Sequence, residues 1–171
     1  MTINSSGLSL KQQINNELKY HMKDPDFNEI IDNIFVGNYA FALNKKLLLE
    51  NKITYILNCA IGLKNFYQNE GQFKYLHIPL YDSKTQDLEQ FIEKMINFIE
   101  EGSINNNKIL IHCGEGVSRS ASVCLMYLII KKGMTYSKAR ETFTKKRHAC
   151  CPNDGFVAQL KKKSLQLYHK E

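Results

Sequence analysis

Between Ile30 and Tyr168 short apolar runs alternate with stretches in which apolar residues return every three or four positions. The first kind predicts strands at "NIFVG" (33–37), "ITYILN" (53–58), "KYLHIPL" (74–80) and "ILIHC" (109–113). The second predicts helices over 39–50, 88–101, 119–132, 136–146 and 155–168. Strands alternating with helices imply an α/β fold, a central and mostly parallel sheet flanked by helices. The run "ILIHC" has no polar position before His112, as expected of a strand covered on both faces, hence a central one. Ahead of this pattern Leu8, Leu10, Ile14, Leu18 and Met22 predict a short, loosely attached N-terminal helix, ended by "DPD" (24–26). The expected organisation is a helical extension over 1–27 and a single domain over 28–171.

Composition narrows this picture only a little. With 171 residues, 43% of them apolar, the chain can bury one good core. Its five cysteines are odd in number and lack C-x-x-C spacing, so they read as reduced thiols in a cytoplasmic protein rather than a disulfide framework or zinc site. The apolar run "CLMYLII" is far short of the roughly 20 residues that span a bilayer, and "MTINSSGLSL" has no basic region followed by an apolar stretch. A net charge of +6 gathers in "KK" (131–132), "KKRH" (145–148) and "KKK" (161–163). Such runs read first as solvated helix faces; no aromatics interleave with them, so nucleic-acid binding is not indicated.

Chemistry concentrates in "ILIHCGEGVSRSASV" (109–123). A thiol reacts as thiolate, which a helix N-terminus and a neighbouring cation both favour, and Cys113 is placed to have both. Gly114, Glu115, Gly116, Val117 and Ser118 form a tight loop between strand and helix whose clustered N–H groups would cradle an anion. The two glycines are expected to permit backbone angles or close approaches that a side chain would block. Arg119 adds a planar fork able to pair two phosphate oxygens at once. Burial as an inert thiol, the commonest fate of a free cysteine, does not account for the glycines and the arginine.

"HCGEGVSRS" resembles the H-C-x5-R-S signature of cysteine-dependent phosphatases, specifically the dual-specificity branch. "NIFVGNYAFA", "ITYILNCA", "LHIPLYDSKTQDL" and "PNDGFVAQL" are similar to family segments in the same order, so the resemblance covers roughly 28–160. It implies a cysteine-phosphatase-like fold and a protein phosphatase acting on phosphotyrosine and phosphoserine or phosphothreonine, with no cofactor and no metal. Cys113 is then the nucleophile and Arg119 the phosphate ligand. Ser120 donates to the thiolate or serves at the helix start. His112 supports the loop by hydrogen bonding.

Release of an alkoxide needs a proton, and therefore an acid near the cup. Asp82 ends a strand and lies 31 residues before Cys113, where the family's acid lies. Asp87 is explained by a capping arrangement with Gln90. Asn153 either braces the loop, as a family position does, or caps the last helix. Cys59 either packs or, as in some relatives, forms a reversible disulfide with Cys113. The acidic Glu115 argues against a multiply charged lipid headgroup. Two other readings remain: a scaffold that binds phosphoproteins without turnover, and a phosphatase for RNA or another non-protein phosphate.

Overall fold

The computed structural model describes residues 8–21 and 24–168. A five-stranded sheet runs β1 (Phe27–Ile31), β2 (Ile34–Gly37), β5 (Ile109–His112), β3 (Tyr55–Ala60), β4 (Lys74–Leu80) across the molecule. All neighbours are parallel except β1 and β2. Strand periodicity sorts the side chains. Ile34, Val36, Leu57, Ile109 and Ile111 enter one core layer, Phe35, Ile56 and Leu110 the other. The first layer is closed by α4 (Ile92–Ser103), α5 (Arg119–Lys132), α6 (Tyr136–Lys146) and α7 (Asp154–Tyr168). The second is closed by α2 (Tyr39–Leu43) and α3 (Lys45–Glu50). As expected, β5 is central, and all four of its residues are buried.

Three elements differ from expectation. The strand β1 was not foreseen; it is a half-exposed edge whose burial alternates too weakly to stand out. A turn at Asp32 and Asn33 joins it to β2, with Asn33 in the left-handed region (φ 67°) that asparagine tolerates. The helix expected over 39–50 is broken at Asn44, whose N–H closes α2 on Phe41 O while its Oδ1 accepts Leu47 N–H to open α3. The N-terminal helix α1 (Leu10–His21) is attached rather than loose. Leu10 and Ile14 pack on the second core layer, and Glu17 meets Lys64 at 3.0 Å. Met22 and the side chain of Leu18 lie outside the described residues.

Candidate active site

Cys113 follows the end of β5, and the loop 114–118 carries the chain to α5, which begins at Arg119. The thiol is 2% exposed. Its Sγ lies 3.3 Å from Ser120 Oγ and accepts the Gly116 N–H, also at 3.3 Å. The loop carbonyls are tied to the surrounding scaffold. Gly114 O accepts Tyr39 N–H (2.9 Å), Val117 O accepts Cys151 N–H (3.0 Å), and Gly116 O accepts Arg147 Nε–H (2.9 Å). The peptides are trans, so the N–H groups of Glu115, Val117 and Ser118 face the opposite way, off the scaffold. The sequence thus builds a cup of aligned donors by anchoring their carbonyl partners from behind.

The glycines are not equivalent. Gly116 has φ 71°, and a Cβ there would stand 2.7 Å from the Gly37 carbonyl, so both conformation and space require glycine. At Gly114 a Cβ would meet only Arg119 Nη2, at 3.6 Å, which is ordinary contact. The expectation that both positions need glycine therefore holds for Gly116 alone.

Arg119 donates from Nη1 to Leu80 O at 3.3 Å, and its buried Nε has no hydrogen-bond partner among the described residues. A buried guanidinium N–H left open beside a donor-lined cup is a position an anion would fill. Asp82 Oδ1 accepts Ser118 Oγ–H (2.7 Å) and Asn153 Nδ2–H (2.9 Å), while its Oδ2 stands 4.0 Å from Arg119 Nε. Asp87 instead accepts Glu89 N–H at 3.0 Å, a local turn contact. Asn153 makes contacts of both kinds. Its Oδ1 caps α7 through Phe156 N–H (3.0 Å), and its backbone N–H reaches Ser118 Oγ (3.2 Å).

His112 is buried, stacks on Tyr39 with 5.9 Å between ring centres, and lies 3.4 Å from Cys113 O through Nδ1. Burial is the main reason its pKa falls to about 4, which keeps the ring neutral. Cys59 lies on β3 next to β5, where its neighbour Asn58 pairs with His112. Burial, then the nearby Cys113, push its thiol pKa well up.

Sequence reasoning missed Arg147, 2% exposed and hidden within "KKRH". Besides Gly116 O it binds Asn28 Oδ1 (2.9 Å) and Asp26 Oδ2 (2.6 Å). Asp26 is itself positioned by Asn38, whose backbone N–H donates to Asp26 O (2.9 Å) and whose Oδ1 accepts the Asp26 N–H (3.1 Å). The one signal available was position: Arg147 ends α6, whose apolar Phe143 points inward one turn earlier.

A thiol on the floor of a donor-lined loop, between a central parallel strand and a helix, with a partly unsatisfied arginine beside it, is an arrangement able to receive an oxyanion. The family model described as "Dual specificity phosphatase, catalytic domain" matches residues 34–166. Dual specificity protein phosphatase 1B of Arabidopsis thaliana is 36% identical over 143 residues, 82% of this chain and 84% of that protein. Human dual specificity protein phosphatase 6 is 36% identical over 132 residues, 77% of this chain but 35% of that protein. A mouse dual specificity phosphatase crystallised with zinc tungstate superposes with a TM-score of 0.77 at 29% identity, covering 85% of this chain and 90% of that one. The chain belongs to the dual specificity phosphatase family.

Proposed function

We propose that this chain hydrolyses phosphotyrosine and phosphoserine or phosphothreonine in proteins through a phosphocysteine on Cys113. The carrying observation is the thiol held between Ser120 Oγ and the Gly116 N–H beneath outward-facing loop donors. The thiolate attacks phosphorus, the bond to the leaving oxygen breaks, and Asp82 gives that oxygen its proton. Asp82 Oδ1 already accepts two hydrogen bonds, so Oδ2 is the oxygen that carries the proton. In the second step Asp82, now a carboxylate, takes a proton from water as the water attacks the phosphocysteine; phosphate leaves and the thiolate is restored. The outward-facing N–H groups of Glu115, Val117 and Ser118, with Arg119, hold the non-bridging oxygens, while the Gly116 N–H stays on the sulfur. Ser120 donates to the sulfur whenever it is anionic. Catalysis is mostly positioning and charge stabilisation, and no step calls for a metal or cofactor. The similar mouse structure is a complex with zinc tungstate, and binding of an oxyanion is what this reading expects.

No helix among the described residues is long and apolar enough to cross a membrane. All five cysteines are free thiols, which supports a reducing compartment, the cytoplasm or the nucleus. The test is phosphate release from a peptide carrying both phosphothreonine and phosphotyrosine, in chelator, with wild type and Cys113→Ser. Release from both residues by wild type alone is expected. Tight peptide binding without release would favour the scaffold reading.

A further inference from the structure

The loop 81–88 that carries Asp82 is fastened to α7 by a side chain with no part in the chemistry above. Gln159 accepts the Leu88 N–H through Oε1 and donates from Nε2 to Gln86 O, each at 2.8 Å. One side-chain amide thus meets a donor and an acceptor two residues apart, as a neighbouring strand would. Gln86 passes the constraint on, because its own Oε1 accepts the N–H of Tyr81, the residue before Asp82, at 3.0 Å. Leu88 is fully buried and seats the far end of the loop in the core.

One turn before Gln159, Gly155 faces the same loop. A Cβ at Gly155 would stand 2.0 Å from Lys84 O, so the loop backbone rests on α7 only where no side chain intervenes. The salt bridge from Lys84 to Asp154 (2.6 Å) spans the same contact, but both groups are exposed and it adds little.

We propose that Gln159 and Gly155 are positioning residues for Asp82, and that their hold on the 81–88 loop sets how poor a leaving group the enzyme can expel. The inference rests on Asp82 acting as the general acid. An alkoxide from phosphothreonine cannot depart without a proton delivered at the right place, whereas an acidic phenol can. Loosening the loop should therefore harm alkyl esters selectively and leave the phosphate cup intact.

The experiment compares wild type, Gln159→Met and Gly155→Ala on a phosphothreonine peptide and on 4-nitrophenyl phosphate, with tungstate inhibition as the measure of the cup. Methionine keeps the length and helix propensity of glutamine and removes both hydrogen bonds to the loop, with the weaker one from Nε2 to Gly155 O (3.2 Å), so Gln159→Met stands if Gly155→Ala does not fold. The expected result is a fall of about tenfold or more in the ratio of kcat/KM for the peptide to that for the aryl ester. Tungstate inhibition should be unchanged, and the Leu88 amide should exchange faster with solvent. Parallel losses on both substrates, or an unchanged ratio, overturn the inference. A wild type that hydrolyses neither ester overturns the proposed function, and the inference with it.

Discussion

At the scale of the residue, Arg119 and Arg147 show how place decides the use of one side chain. Arg119 reaches the cup and keeps an N–H open there. Arg147 lies behind the loop with each guanidinium nitrogen engaged, and Asp26 answers its charge. That contact, through its hydrogen bond first, lowers the Asp26 pKa. Arg147→Ala should cost about 2 kcal/mol, since it leaves the Gly116 carbonyl without its donor and Asp26 without its cation. Urea unfolding would measure this, and tungstate affinity should fall with it because the Gly116–Val117 peptide is released. Lysine cannot replace the three-way fork and should recover only part of the loss.

His112 offers a second residue-level prediction. Its folded pKa of about 4 lies below its ordinary value of 6.5, so between these the unfolded chain binds a proton that the folded chain does not. Stability therefore falls as pH drops through that window, by about 3 kcal/mol if His112 acts alone. Thermal unfolding from pH 7 to pH 4 should show the slope, and His112→Asn should flatten it. An equal slope in the variant would assign the effect to other groups.

At the scale of the element, the loop 114–118 depends on pieces remote in sequence: the start of α2, the end of α6 and the segment before α7 each hold one carbonyl. Gly116→Ala would drive a methyl group into the Gly37 carbonyl at a backbone angle that alanine resists. It should abolish turnover and tungstate binding, whereas Gly114→Ala should leave tungstate binding measurable. Isothermal titration with tungstate separates the two; equal losses would contradict the geometric distinction.

The long periodic helices were legible in the chain, and α5 and α6 begin and end where the pattern does. Central β5 was legible too, because burial on both faces leaves an unbroken apolar run. The edge strand β1 was not, since an exposed edge writes little into hydrophobicity. The break at Asn44 was overlooked because leucines continue on both sides of it. In the site, local pattern displayed Cys113, the loop and Arg119. Arg147, Gly155 and Gln159 act through contacts across the fold, which local pattern does not display.

At the scale of the whole molecule, the parallel sheet places the ends of β4 and β5 on either side of β3, so Asp82 meets Ser118 and stands near Arg119 in the loop and helix that follow Cys113, although Asp82 lies 31 positions before that cysteine. The helical layer opposite α2 and α3 then fixes that placement, with α5 beneath the thiol and α7 against the loop of Asp82. Much of the basic surface is occupied by neighbouring acids: Lys131 meets Glu100 at 3.2 Å, Lys145 meets Glu141 at 2.6 Å, and Lys163 meets Glu89 at 2.6 Å. These pairs agree with solvated helix faces better than with one continuous patch for a polyanion.

The proposed turnover passes through a covalent step at one sulfur. The most direct measurement is rapid acid quench of wild type, Cys113→Ser and Asp82→Asn with a radiolabelled aryl phosphate, followed by mass spectrometry of the peptide containing Cys113. Label is expected on Cys113 in wild type, none in Cys113→Ser, and a longer-lived labelled species in Asp82→Asn, which lacks the base proposed for the second step. Phosphate release by wild type with no label on Cys113 at any quench time would contradict the covalent step.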